Sequence, residues 1–188
     1  GTAFDDLVTS MDALCFMKEN VKEIRNNQWF HTDQCPINTK KGKNGKRIEY
    51  IEESPLRPGL RSIQGVVNLL PCGSKDGGLT VIKGSHKLHQ KFFEDNNLLS
   101  MQKDWFRFSG DHNDYISKLV SKEGMGLDIV KVNADAGDLL LFDSRTHHEA
   151  KWHSGKSDSE EEKCIRRAAI YSCMSRRAWC DDAALKKK

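Results

Sequence analysis

The stretch QWFHTDQ, residues 28–34, sets a histidine and an aspartate two positions apart, His31 and Asp33. In an extended chain, residues i and i+2 share a face about 6.5–7 Å apart, so both side chains can close on one ion while Thr32 turns away. Trp29 shares their face. A third ligand has to come from elsewhere, and GDLLLFDSRTHHEA offers one: Leu, Leu, Leu and Phe read as a buried strand that ends in His147 and His148. Two histidines and one carboxylate form the facial set associated with non-haem iron(II), which leaves coordination positions open for reactants. On residue types alone this reading competes with a plain polar strand end and an ordinary histidine.

Such ligands need strands to hold them, and the chain supplies several. LRSIQGVVNLLP and LTVIKGSH read as strands on either side of the turn signal DGG, with Ser85 placed to cap a following helix KLHQKFFEDN. Residues 86–124 read as helical or irregular. DIVKVNADAGDLLLFDSRTHH supplies two strands joined by a turn near Ala136 and Gly137, and RRAAIYSCM another. Strands on both flanks of one helical insertion, with short turns, suit an antiparallel sandwich or barrel better than alternating βαβ units. Over residues 4–25 the spacing of Phe4, Leu7, Met11 and Leu14 predicts a helix. RRAWCDDAALKKK predicts a short terminal helix. Residues 37–58, rich in charge, Gly and Pro, read as a mobile loop that folds back as a small hairpin at RIEYIE and closes over the metal strand as a lid.

Composition bounds the rest. A chain of 188 residues, 37% hydrophobic and 30% charged with a net charge of +3, suits one domain, residues 1–188, around one core. No run approaches the roughly 18 apolar residues of a membrane span, and GTAFDDLVTS lacks the basic and apolar regions of a secretory leader. Basic residues are dispersed apart from KKGKNGKR and the terminal KKK, which argues against nucleic acid as a partner. Six cysteines without a C-x-x-C pair point to reduced thiols and an intracellular, cytoplasmic setting. The expected partner is a small molecule, with neither nucleic acid nor membrane; oligomeric state is left open.

Gln64 and Asn68 lie four apart on one face of SIQGVVNLL, where they either touch substrate at a barrel mouth or satisfy buried backbone groups. His86 is expected to support a turn, and His89, His112 and His153 to lie on the surface. Met101–Phe108, with Trp105 and Phe106, reads as core packing or as a hydrophobic flap over the site.

The motifs FHTDQ, LRSIQGVVNLLP, DGGLTVIKGSH, GDLLLFDSRTHH and RRAAIYSCM, in this order from Gln28 to about Ser175, resemble the phytanoyl-CoA dioxygenase-like family of Fe(II)/2-oxoglutarate-dependent oxygenases. The resemblance implies a mainly β fold with flanking helices, a double-stranded β-helix or cupin-like jelly-roll barrel. It implies Fe(2+) held by His31, Asp33 and His148, with His147 on the opposite face. Arg167, spaced four from Tyr171, matches the family's 2-oxoglutarate-binding arginine, with Arg166 the competing alignment, and Gln28 matches a co-substrate contact. The implied activity is hydroxylation or a related oxidation of a small organic or acyl substrate, with 2-oxoglutarate and O2 converted to succinate and CO2. Halogenating relatives carry a small residue where this chain has Asp33. The alternative class is a non-catalytic cupin-like barrel that binds a ligand or metal. Lys83 in place of the usual proline, Ala150 two after His148, and the long 37–58 loop depart from the family pattern.

Overall fold

The computed structural model describes residues 7–18, 29–36, 39–41, 47–49, 60, 62–74, 76–99, 105–151 and 165–177. In chain order the elements are β1 (Leu7–Lys18), β2 (His31–Thr32), β3 (Thr39–Lys41), β4 (Arg47–Glu49), β5 (Ile63–Asn68), β6 (Gly78–Ile82), α1 (His89–Asp95), β7 (Phe106–Arg107), α2 (Asn113–Val120), β8 (Ile129–Lys131), β9 (Leu139–Asp143), β10 (His148–Lys151) and β11 (Ile165–Arg176). They form a four-stranded sheet in the order β1-β11-β5-β9 and a five-stranded sheet in the order β7-β2-β10-β6-β8. Every strand pairing is antiparallel. Sequential strands cross between the sheets: β5 and β9 belong to the first, β6, β8 and β10 to the second. This is a double-stranded β-helix, the expected jelly-roll barrel. Gly137, at φ 91°, makes the turn between β8 and β9, where a side chain would be strained.

The first strand corrects the helix expected over residues 4–25: within the described residues that segment is β1, paired along its length with β11. The reason lies in a register shift between Met11 and Ala13. It puts Thr9 and Met11, then Leu14 and Phe16, on one face of the sheet. Their spacings of two, three and two residues break strict alternation and mimic a helical pattern. Met11, Leu14 and Phe16 are exposed, and Leu139 and Leu141 on the far strand of the same sheet are exposed as well.

The main hydrophobic cluster lies behind the five-stranded sheet, where Phe92 and Phe93 of α1 and Ile116 and Leu119 of α2 pack with Phe30, Ile82, Phe106 and Phe108. The ring pairs Phe92–Phe93 and Phe92–Phe108 meet edge to face at 5.3 and 5.0 Å, the geometry that aromatic quadrupoles favour. The helices thus brace the sheet that bears His31 and His148. Ser85 does not cap a helix as expected. It opens a 3-10 turn over Ser85–Leu88, and its Oγ accepts a hydrogen bond from the His147 N–H at 2.8 Å. His89, expected on the surface, is 2% exposed because its Nε2 bonds to the Gln34 carbonyl at 2.6 Å and its ring packs on Phe93.

Of the 37–58 loop, only the β3–β4 hairpin is described, with Thr39 opposite Glu49 and Lys41 opposite Arg47. The rest of the proposed lid, Gln28, His153 and the terminal segment after Arg177 lie outside the described residues. No helix among the described residues is long and apolar enough to cross a membrane. Among the described residues Cys15 and Cys72 are cysteines outside any disulfide.

Candidate metal and co-substrate site

His31 and His148 face each other across the sheet: β10 pairs with β2 through His148 opposite His31, and the two rings sit 4.2 Å apart. Asp33 lies just past the end of β2. Its backbone N–H donates to the Ser144 carbonyl at 3.0 Å, which returns the carboxylate to the face that His31 occupies. The Asp33 oxygens come within 3.5 Å of His31 Nε2 and 3.3 Å of His148 Nε2. One donor atom from each of the three residues lies within 4.8 Å of the others.

The tautomers are fixed from behind. His31 Nδ1 lies 3.1 Å from the Trp29 carbonyl and His148 Nδ1 2.9 Å from the Thr146 carbonyl. A carbonyl only accepts, so each Nδ1 carries the proton and each neutral ring turns its Nε2 lone pair toward Asp33. In that tautomer three lone-pair donors converge, an arrangement that suits a cation. Burial, then the neighbouring His148, lowers the His31 pKa to about 4, so this ring is neutral near pH 7. Burial alone would raise the Asp33 pKa, but the closeness of His148, and then of His31, brings it below the usual carboxylate range. Backbone carbonyls that orient the ligating imidazoles are a common support for metal-binding histidines.

Sequence reasoning missed a second set of supports. Gln34 is 3% exposed, and its Oε1 accepts from Ser144 Oγ at 2.6 Å, while its carbonyl accepts from Thr32 Oγ1 and His89 Nε2. These bonds tie the segment after β2 to the turn before β10. The signal was in view in FHTDQ, where Gln34 follows the metal pair directly. In the same turn Asp143 accepts from the Arg145 backbone N–H, Nε and Nη2. His147 points away from the metal ligands, fully buried against Phe108 with Tyr115 Oη 3.2 Å from its Nε2.

A cavity of about 750 Å³ opens onto the three ligands, lined from the five-stranded sheet by Trp29, Leu79 and Ala150 and from the four-stranded sheet by Val66, Phe142 and Arg167. Arg167 is 3% exposed. Its Nη1 donates to the Gly77 carbonyl at 3.0 Å and contacts Cys72 Sγ at 3.5 Å. Its Nε and Nη2 have no partner among the described residues. Burial opposes the guanidinium charge, but the phenol of Tyr171, four residues on along the same strand face, more than offsets that and raises the Arg167 pKa. The side chain of Arg166 lies outside what is described. Gln64 lines the cavity, while Asn68 is buried below its wall with Nδ2 unpartnered among the described residues. Phe106 packs in the core, and Trp105 faces the cavity at 53% exposure.

Comparison with known proteins gives this geometry a family. The chain is 28% identical over 191 residues to the Ava biosynthesis cluster protein O of Aspergillus versicolor, a match covering 98% of this chain and 51% of that protein. It thus spans about half the length of this curated relative. Among solved structures, EvdMO1 is 15% identical with a TM-score of 0.46, covering 90% of this chain and 28% of that one. The epimerase SnoN in complex with Fe3+, alpha ketoglutarate and nogalamycin RO is 15% identical with a TM-score of 0.44, covering 89% of this chain and 50% of that one. HygX from Streptomyces hygroscopicus with iron bound is 11% identical with a TM-score of 0.40, covering 91% and 56%. The family profile described as phytanoyl-CoA dioxygenase (PhyH) matches residues 4–158, and the chain belongs to that family.

Proposed function

We propose that this protein is an Fe(II)/2-oxoglutarate-dependent oxygenase that hydroxylates or otherwise oxidises a small organic substrate. The observation that carries the reading is the convergence of three donors, His31 Nε2, His148 Nε2 and the Asp33 carboxylate, at a cavity that also holds the buried Arg167, whose Nε and Nη2 have no hydrogen-bond partner among the described residues. Two imidazole nitrogens and one carboxylate are a donor set that suits iron(II). Held by His31, Asp33 and His148, iron would supply the redox chemistry that couples decarboxylation of a 2-oxo acid to oxidation of the substrate.

The chain's own groups do the rest. The carbonyls of Trp29 and Thr146 hold both imidazoles in the ligating tautomer. Asp33 fills the position that would otherwise admit a halide, which favours hydroxylation or a related oxidation. Arg167 takes the distal carboxylate of 2-oxoglutarate through Nε and Nη2, because a planar fork of permanently charged donors matches a carboxylate. Trp29 and Phe142, against His31 and His148 at 4.5 and 4.7 Å, keep water from the sides of the imidazoles they cover. Gln64 faces substrate. The relative named for a biosynthetic cluster is in keeping with a small-molecule substrate. Protein reconstituted with iron(II) and 2-oxoglutarate without oxygen, then exposed to air, should form succinate, and Asp33→Ala and His148→Ala should abolish it. Absence of succinate from the wild type, or its persistence in both variants, refutes the assignment.

A further inference from the structure

We infer that the substrate is an uncharged, ring-bearing molecule seated on Trp105 and hydrogen-bonded by Gln64, and not a phosphate-bearing acyl-CoA thioester; this rests on the oxygenase reading above. Trp105 precedes β7 and turns opposite to its neighbour Phe106, which is anchored in the core. It stands edge-on to His31, ring centroids 6.4 Å apart at 87°, and leaves half its surface bare beside the metal ligands. Trp29 is held differently: it stacks on His31 at 4.5 Å, and its indole N–H donates to the Ala150 carbonyl at 3.0 Å. One indole is thus fixed as wall and the other is open as a platform. An exposed aromatic face against an apolar cavity gains most when a flat apolar ring covers it.

Charge decides against a thioester. Among the described lining residues, Asp33 is a metal ligand and Arg167 is the co-substrate cation, which leaves Asp12 as the remaining permanent charge. No lysine and no other arginine lines the cavity among these residues; Arg107, opposite His31 in the β2–β7 pairing, is exposed outside that lining, so within the cavity a phosphate meets the Asp12 carboxylate and no further cation. Gln64, opposite Phe142 in the β5–β9 pairing, makes no side-chain hydrogen bond among the described residues. It offers one amide, suited to a hydroxyl or carbonyl substituent on an otherwise apolar ring system.

Protein loaded with Mn(II) and 2-oxoglutarate binds without turning over, so the test is calorimetric titration with flavone, estrone, octanoyl-CoA and palmitoyl-CoA. The two ring compounds should bind and the two thioesters should not. Trp105→Ala should weaken ring binding by about tenfold or more, as loss of one aromatic contact surface implies. Trp105→Phe should restore most of it, and thermal melts of each variant report folding. Gln64→Leu should weaken estrone, which bears hydroxyl and carbonyl groups, more than the parent hydrocarbon estrane. Binding of either thioester, failure of both ring compounds, or indifference of ring binding to Trp105→Ala in a folded variant overturns the inference. Succinate formation is read separately, so failure of the oxygenase assignment shows there, while failure of the substrate class shows only in these titrations.

Discussion

Gly78→Ala should separate the co-substrate pocket from the fold. A Cβ at residue 78 would stand 2.5 Å from Arg167 Nη1, 2.6 Å from Cys72 Sγ and 2.9 Å from Lys131 Nζ. Carbon contacts settle at about 3.5–4.0 Å, so the guanidinium must retreat by roughly 1 Å. That retreat breaks the 3.0 Å bond from Nη1 to the Gly77 carbonyl and tilts Nε and Nη2 away from their present aim. A hydrogen bond to a charged group contributes about 1.5–3 kcal/mol, which corresponds to a loss of about 10- to 150-fold in 2-oxoglutarate affinity. All three crowded atoms are the ends of side chains and none is backbone, so the sheet itself has room to adjust. Calorimetric titration of Mn(II)-loaded protein with 2-oxoglutarate reads the affinity, and a thermal melt reads the fold. Cys72→Ala in the Gly78→Ala background should recover part of the loss by clearing one of the three contacts. Affinity within twofold of wild type would refute the reasoning, and so would a loss of affinity that merely tracks a collapse of the melting temperature.

Three further outcomes follow from named contacts. Arg167→Ala should weaken 2-oxoglutarate binding by about 30- to 150-fold, on the order of 2–3 kcal/mol, and Arg166→Ala far less; equal effects in the same titration would mean that the register of β11 is misread. Gln34→Leu leaves the buried Ser144 hydroxyl without its 2.6 Å acceptor and should cost about 1–3 kcal/mol. At a few degrees per kcal/mol for a chain of this size, the melting temperature should fall by about 2–10 °C, with weaker metal binding because the segments bearing Asp33 and His148 loosen. For Asp143, burial alone would raise the pKa, but the three bonds from Arg145 hold it below the usual carboxylate range. A depressed folded-state pKa adds stability that is present above the unfolded value, near 3.9, and is lost as pH falls through the folded value. The gap in urea midpoint between wild type and Asp143→Asn should therefore be full at pH 7 and shrink below about pH 4; a gap that widens in acid would contradict it.

The candidate metal pair, His31 and Asp33, and its candidate partner His148 were legible as a possible ligand set because their residue types stand in short local motifs, and the structure brings the three together. His-x-Asp, the DSRTHH turn and the basic pair at the start of the last strand each stand within a few residues, and β5, β6, β9 and β11 have the short apolar runs of barrel strands. What escaped was set by contacts distant in sequence. β1 is a strand because β11 pairs with it, from Lys18 opposite Ile165 to Leu7 opposite Arg176, at the far end of the described chain, and a register shift at Asp12 hid its alternation. Ser85 looked like a helix cap and instead serves the backbone of His147, 62 positions away. His89 looked like a surface histidine and instead closes on the Gln34 carbonyl, 55 positions away. The choice of His148 over His147 came from the family pattern. The structure supplies its physical basis, since the two rings project from opposite faces of β10 and its preceding turn, one to the cavity and one to the core.

Metal binding tests the central claim most directly. Equilibrium dialysis against iron(II) under argon, followed by elemental analysis, should find one ion per wild-type chain and none above background in Asp33→Ala or His148→Ala, with thermal melts showing that both variants remain folded. A wild type that takes up no metal, or folded variants that retain it, would contradict a site built from His31, Asp33 and His148.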